Sequence, residues 1–583
     1  MESKNTRKPN IEKPWLKYYG KEILDSLSVP ECSLRDYMVM NMPDPDVAAI
    51  SYYGNEITWK SFFDEIDKAA KSLRALGFKE NDQVPVFMKT VPEFLVLLFA
   101  CERIGASLVN REHRLDENAD TLMKSGAKVL FANDCISQET VNYYLEHAGI
   151  EKVVLSPLLN SCTYDDLPDY IQNSYDKMFT DETAHGSHTM SWNEFIALGE
   201  NYHGVVEAET DIDRPLIRAY TSGSTGPAKQ VIHSAHSIIG ALAQMNFYGS
   251  VEGIRPTWLV AALPPCMVSI IITFLLLPLA SNKILVLSPL CGEYDIDLEF
   301  MRCKPNCWPT IPMFCDILSH SKRVPDDYDL SFLWSCGAGC EHMNNTQLFG
   351  FQKFLNDHNC KIQFTTGYGS SEAGSNIGFH VSGHPLGNGN VGVPMPLTNV
   401  AICRFGTFEE LGYDEIGEIC IQSPNLMIGY DDPETTAKAL KVHPDGKVWL
   451  HTGDVGHIIE DGVLYVDSRG SSREYNGTPL DILPMENAVS DANIPGIADH
   501  FFVNIPDKVH EGYYIPYLYI SLKEGIEFED VKARVAKYCP PEVVIKPIKR
   551  RPYWHFKTYR IGMVNYVLGQ GDTSEISYPE YML

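Results

Sequence analysis

The chain has 583 residues, of which 44% are hydrophobic, 21% charged and 11% aromatic. That composition suits a globular protein and excludes a wholly disordered chain, a collagen and a polytopic membrane protein. Lys and Arg number 48 against 76 Asp and Glu, a net charge of -28. So acidic a surface argues against general nucleic-acid binding, while leaving room for a local basic pocket around a small phosphorylated ligand.

The first ten residues, MESKNTRKPN, are charged and contain no apolar core, so an export signal is not expected. The 15 cysteines then read as reduced thiols of a cytoplasmic protein. Two pairs have CxxxC spacing, Cys303 with Cys307 and Cys336 with Cys340. No His stands at a standard zinc spacing from either pair, so coincidence in a Cys-rich chain is the favoured reading over a metal site.

In chain order, ITWKSFFDEIDKAAKSLRALGF places Phe62, Phe63, Ile66, Ala69, Ala70, Leu73 and Leu76 at helical spacing, and Gly77 ends the run. DQVPVFMK reads as a short buried strand and PEFLVLLFACERIGA as a second helix closed by Gly105. AKVLFA and EKVVLS follow as Val-rich strands, giving the strand–helix alternation of an α/β fold with parallel sheet. Tyr164 to Trp192 is polar and turn-rich and reads as a surface excursion. The alternation resumes at Leu216. PLIRAY predicts a strand and VIHSAHSIIGALAQ a helix, while Met267 to Ala280 (MVSIIITFLLLPLA) is too short to span a membrane, contains Pro278 and predicts a buried core helix. CKIQF predicts a strand, and EELGYDEIGEICIQSPNLMIGY a strand-rich subdomain. After about Val466, DSRGSSREYNG has the composition of a hinge, and HFFVNIP, YYIPYLYISL and VKARVAKY predict a small α+β unit beyond it.

Three clusters carry chemistry. TSGSTGPAK (Thr221 to Lys229) combines small and hydroxylated residues with two glycines, so its backbone N–H groups can surround an anion while Lys229 adds a point charge. The GxxxxGK[ST] spacing of a Walker A loop is absent. The expected strand before it and helix after it would put the loop where phosphates commonly bind. A flexible surface loop is the alternative. TTGYGSSEAG (Thr365 to Gly374) carries one carboxylate, Glu372, which beside a triphosphate suits magnesium and elsewhere would simply be solvated. WLHTGDVGHIIEDGVLYV holds Asp454, suited to ribose hydroxyls or to an ordinary turn.

In this order and spacing, TSGSTGPAK, GYGSSEAG, GEICIQSPNLMIGY and WLHTGDVGHIIEDGVLYVDSRG resemble the adenylate-forming superfamily of acyl-CoA synthetases, peptide-synthetase adenylation domains and luciferases, over about Trp15 to Leu568. IEKPWLKYYG, ITWKSFFDEI and TMSWNEFIALG are most similar to fatty-acyl-CoA-synthetase-like members. The resemblance implies a large N-terminal α/β domain, 1–468, of parallel-rich sheets with flanking helices and a β-subdomain, and a small mobile α+β C-terminal domain, 469–583, with a hinge at about 469–472. It implies a ligase that uses ATP and magnesium to convert a carboxylic acid to an acyl-adenylate, then forms a thioester with CoA. Alternatives within the resemblance are an acyl- or aminoacyl-AMP ligase loading an acyl-carrier protein, or a non-catalytic nucleotide-binding relative.

By the same resemblance, Thr221, Ser222, Gly223, Ser224, Thr225, Gly226 and Lys229 cradle the β- and γ-phosphates. Tyr368 packs against adenine, with Gly337 and Ala338 on its other side. Thr366, Gly367 and Ser371 lie near the α-phosphate and the carboxylate, Glu372 holds magnesium, and Asp454 and Arg469 contact ribose. Lys557 is the adenylation lysine, with Lys549 and Arg560 as rivals, because the loop from Pro552 to Lys557 is one residue short and Phe556 replaces the customary glycine. Cys266 or Met267 takes the place of the usual acyl-pocket gate, and Trp308 contributes to an apolar acyl site. Ser471 or Ser472 replaces the hinge Asp or Lys, and Gly477 stands for the glycine that meets pantetheine.

Overall fold

The helix Trp59–Ala75 begins where the Thr58 hydroxyl accepts the Ser61 N–H, and buries Phe62, Ile66, Ala69, Ala70 and Leu73 along one face. Gly77, at φ 95°, turns the chain out of it. The next helix, Pro92–Ile104, is buried almost all round and ends at Gly105 in the left-handed region, φ 71°. The structure is a computed structural model and describes residues 7–111, 115–179, 182–221, 228–246, 254–380, 384, 387–468, 473–475, 478–480, 482–510, 512–554, 557–558 and 560–569.

Two large sheets organise these helices. In the nine-stranded sheet, Ala48–Tyr52, Ile284–Ser288, Thr257–Ala261, Cys307–Thr310, Ser335–Ala338 and Thr365–Ser370 run parallel, and antiparallel strands close both edges. In the eight-stranded sheet, parallel strands from Thr189–Ser191 to Pro215–Tyr220 give way to antiparallel Gln230–Ser234 and Gly429–Tyr430. Asn399–Cys403, Gly417–Gln422, Val448–Ile458, Leu440–Val442 and Leu464–Ser468 form a five-stranded antiparallel sheet. Near the C-terminus, Ile497–Pro506 and Tyr514–Leu522 pair antiparallel with Val544–Pro547 beside them, packed by Ile482–Asp491, Phe528–Val535 and Arg560–Leu568. This is the expected parallel-rich α/β architecture. The hinge expected at 469–472 lies outside the described residues.

Three local expectations change, and a fourth, the buried core helix at Met267 to Ala280, holds with a different winding. Tyr164 to Trp192 is less open than its polarity suggests: it contains the helix Asp169–Asp176, anchored by buried Ile171, and a strand that extends the eight-stranded sheet. Residues 230–234 are a strand, because Val231 and His233 bury on one side of an antiparallel pairing, and the helix starts at Ala235 under a Ser234 cap. The Thr221 to Lys229 segment therefore joins two antiparallel strands rather than a strand and a helix. CKIQF is no strand, since the Phe364 N–H bonds to the Gln352 side chain, and the ladder forms in the following Thr365–Ser370. Finally, Ile270–Leu276 is a wide-turned π-helix that passes into a short α-helix at Leu277–Ala280. Pro278 cannot donate to the Phe274 carbonyl four residues back, and the Trp258 indole N–H donates to it at 3.1 Å instead. Among the described residues no helix is long and apolar enough to cross a membrane.

Candidate active site

Ser335–Ala338 and Thr365–Ser370 are parallel neighbours, with Gly337 opposite Thr365 and Ala338 opposite Thr366. Gly337, Ala338, Thr366 and Gly367 thus gather along adjoining parallel strands, at the carboxyl end of Ser335–Ala338. The backbone is close-packed here: a Cβ on Gly369 would stand 1.9 Å from the Ser375 carbonyl oxygen. Tyr368 is buried, and its hydroxyl donates to Asp454 Oδ2 at 2.6 Å. Asp454 comes from the distant strand Val448–Ile458, where its own N–H is held by Thr452 Oγ1 at 3.0 Å. The residues expected to meet adenine and ribose are therefore in direct contact.

On the phosphate side, Thr221 and Lys229 close the neck of their loop. The Thr221 N–H donates to the Lys229 carbonyl at 2.9 Å, and the Lys229 N–H to Thr221 Oγ1 at 3.0 Å. Ser222, Gly223, Ser224, Thr225 and Gly226 lie outside the described residues. The exposed Lys229 ammonium stands 5.1 Å from the centre of the Tyr430 ring, and the Tyr430 hydroxyl donates to Glu372 Oε1 at 2.7 Å. Burial and the Glu372 carboxylate together push that phenol well above its ordinary range. The turn bearing Ser371 and Glu372 is pinned from three directions. His233 Nε2 meets the Ser371 carbonyl at 2.8 Å, the Met427 N–H donates to the Glu372 carbonyl at 2.8 Å, and Asn425 Nδ2 to the Ala373 carbonyl at 2.7 Å. Burial pushes the His233 imidazole down to about 4, so it is neutral at physiological pH and donates through Nε2.

Behind Gly337 and Thr366 lies a cavity of about 100 Å³, walled by Met245, Trp258, Phe274 and Leu277. Thr273 Oγ1 and Ser375 Oγ, 2.5 Å apart, provide polar atoms beside it. Ser269 rather than Cys266 or Met267 lines this space, and Trp308 packs in the core with its ring tilted against Phe300, centroids 4.6 Å apart.

From the C-terminal unit, Lys557 is half-buried in a two-stranded hairpin opposite Trp554. The next residue anchors the hairpin, its Thr558 N–H donating to Glu341 Oε2 at 3.0 Å. Arg560 is occupied in ion pairs with Glu341 at 2.8 Å and Glu486 at 3.1 Å, and Lys549 is exposed. Arg469, Ser471, Ser472 and Gly477 lie outside the described residues. Tyr430, His233 and Asn425 also shape the site, without a signal of their own in the sequence. Each is an ordinary residue in its own segment, and only the pairing of Gly429–Tyr430 with Gln230–Ser234 brings Tyr430 to Glu372, 58 positions away.

These motifs have many counterparts among known proteins. The family profile described as AMP-binding enzyme matches residues 41–431. A long-chain-fatty-acid-CoA ligase of Bacillus subtilis is 25% identical over 525 residues, covering 84% of this chain and 87% of that protein. A 4-coumarate-CoA ligase of Nicotiana tabacum is 24% identical over 509 residues, covering 83% of each. Among solved structures, an anthranilate CoA ligase in complex with anthranoyl-AMP superposes with a TM-score of 0.72 at 16% identity, covering 93% of this chain and 98% of that one. A long-chain-fatty-acid-CoA ligase from Archaeoglobus fulgidus gives 0.63 at 18% identity, covering 90% and 98%. The chain therefore belongs to the AMP-binding enzyme family, the adenylate-forming superfamily that its motifs resemble.

Proposed function

We propose that this protein activates an apolar-tailed carboxylic acid with ATP and magnesium, and transfers the acyl group to the thiol of CoA. The observation that carries the reading is the Tyr368–Asp454 contact beside Gly337 and Thr366, flanked on one side by Lys229, Tyr430 and Glu372 and on the other by an apolar cavity. That arrangement supports a reading with a nucleoside at Tyr368 and Asp454, phosphates towards Lys229 and an apolar acyl group towards the cavity. In the first step a carboxylate oxygen attacks the α-phosphorus, the Pα–O bond to the β-phosphate breaks, and pyrophosphate leaves with the electron pair. In the second the thiol sulfur attacks the acyl carbon, AMP leaves with the C–O electron pair, and the thiol proton passes to solvent.

The chain supplies positioning and charge rather than a nucleophile. Asp454 would accept from ribose hydroxyls while Tyr368 covers the base. Gly337, Ala338 and Gly367 leave room for the adenylate, and Thr366 and Ser371 would donate to its phosphate. The neck residues Thr221 and Lys229, with Ser222, Gly223, Ser224, Thr225 and Gly226 between them, would hold the β- and γ-phosphates, and Arg469 would reach ribose from the boundary at 468–469. Glu372 suits magnesium in donor chemistry, as a hard carboxylate beside the phosphate loop, and magnesium bound there would supply neutralisation of phosphate charge. Lys557 would bridge the carboxylate and α-phosphate. Arg560 is already spent on Glu341 and Glu486, which supports Lys557 over that rival.

The test is acid-dependent ATP–pyrophosphate exchange across fatty, aromatic and amino acids, followed by the two half-reactions measured separately in Lys557→Ala. Exchange with an apolar acid is expected, with adenylation falling ~10²-fold or more in Lys557→Ala and thioester formation from supplied acyl-adenylate retained. Absence of exchange with every acid would overturn the proposal, and the same split in Lys549→Ala with Lys557→Ala silent would move the lysine assignment.

A further inference from the structure

The five-stranded antiparallel sheet has two unlike faces. On one, Val400, Ile402, Ile419, Ile421 and Leu450 join an apolar core. The opposite face of such a sheet usually carries polar, solvated side chains, but here it is closed over Cys403, Cys420 and Trp449. Cys420 and His451 are directly opposed ladder residues, and His443 follows the strand Leu440–Val442 that pairs with the His451 strand. Cys420, His443 and His451 are all buried, and each can present one donor atom such that all three lie within 4.8 Å of one another.

The geometry points to a site for a borderline divalent cation, zinc above all, held by Cys420, His443 and His451. Sulfur and imidazole nitrogen are the donors that zinc selects, whereas magnesium and calcium demand oxygen. The two Nε2 atoms face each other at 2.9 Å. In a tetrahedral zinc site, bonds of about 2.0–2.1 Å place two such nitrogens roughly 3.3 Å apart, so the pair needs to open by only a few tenths of an ångström. On the other edge of His451, Nδ1 lies 2.9 Å from Glu418 Oε2 and 3.5 Å from Cys420 Sγ, so the thiol must swing from that edge towards Nε2 to join the two imidazoles. A carboxylate behind a ligating imidazole fixes its tautomer and turns Nε2 to the metal. Cys403, packed beside Cys420 from the neighbouring strand, or a water would complete the fourth position. Binding displaces the Cys420 thiol proton to solvent, and no electron changes hands.

Such a cation would brace the sheet close to the nucleotide site. Glu418 uses its other oxygen, Oε1, to accept the Gly453 N–H at 3.1 Å, and Gly453 immediately precedes Asp454. The site is independent of the proposed ligase reaction.

The test uses the full-length protein, stripped with a chelator and titrated with cobalt(II), whose visible bands and thiolate charge-transfer absorption report a Cys/His tetrahedral site. One cobalt per chain is expected, displaced by zinc, with a rise in melting temperature when either metal is added. Cys420→Ser should lose the charge-transfer band, His443→Asn should weaken binding by ~10-fold or more, on the scale of losing a group that holds a metal, and Cys303→Ser should match the parent. His443→Asn carries the test by itself if Cys420→Ser fails to fold. No cobalt bound by the parent, unchanged binding in His443→Asn, or loss of the band in Cys303→Ser would overturn the assignment.

Discussion

Two carboxylates flank the site, and each accepts a hydrogen bond from a tyrosine hydroxyl at almost the same distance: Glu372 from Tyr430 at 2.7 Å and Asp454 from Tyr368 at 2.6 Å. Their supports differ. Asp454 is 7% exposed and belongs to an eleven-residue strand with ladder partners on both sides. Glu372 is half-buried on a turn just past the strand Thr365–Ser370, next to the exposed Lys229. Asp454 sits in the register shift of its strand, between His451 and Val455 that are held in ladders, and this frame fixes its orientation, which suits repeated recognition of neutral hydroxyls. A carboxylate on a pinned turn can exchange its phenol for a cation without breaking any ladder bond. The same local contact thus serves two purposes, according to the backbone beneath it.

That contrast can be broken experimentally. The largest effect is expected for Glu372→Gln, which keeps the shape and removes the charge: ATP–pyrophosphate exchange should fall by ~10²-fold or more, with saturation by magnesium shifted upward. Near-parental exchange would remove Glu372 from the site. Asp454→Asn should act on nucleotide binding, raising the KM for ATP by roughly 10- to 100-fold, the range for hydrogen bonds to a charged group, with a smaller change in kcat.

Removing the two hydroxyls sharpens the comparison. Tyr368→Phe and Tyr430→Phe should each cost about 1 kcal/mol, or roughly fivefold, in kcat/KM. Tyr368→Phe should do so through the KM for ATP, and Tyr430→Phe through the magnesium dependence. Identical profiles for the two variants would mean that the two supports are equivalent.

The last effect is on stability rather than rate and concerns the pinning of the Glu372 turn. His233 is held at about 4 against an ordinary value of 6.5, chiefly by burial. The unfolded chain therefore takes up the proton first as pH falls. The stability that depends on neutral His233 is complete above pH 6.5 and declines towards pH 4, by about 2 kcal/mol between pH 6.5 and 5. Thermal unfolding of His233→Gln should show a shallower loss over that interval than the parent, and parallel curves would dissociate His233 from the acid response.

Sequence legibility follows the same division. Helices with long apolar stripes, such as Trp59–Ala75 and Pro92–Ile104, were readable because burial of one face repeats every few residues and the caps are local. Val231 to Ser234 reads as the start of a helix in sequence but is strand in the fold, because only its antiparallel partner Pro215–Tyr220 decides its conformation. The wide turns at Ile270–Leu276 were hidden for a related reason: the donor that satisfies the Phe274 carbonyl beside Pro278 comes from Trp258, on another strand.

By itself the sequence determined the α/β class, the order of the small-residue clusters and the positions of Lys229, Glu372, Tyr368 and Asp454, since glycine-rich turns, strand patterns and isolated carboxylates are properties of short segments. Tertiary structure alone decided that Tyr368 bonds Asp454, 86 positions away, that Tyr430 bonds Glu372, and that Cys420, His443 and His451 meet. Sheet pairing sets these contacts, and pairing is chosen by burial over the whole domain rather than by spacing along the chain.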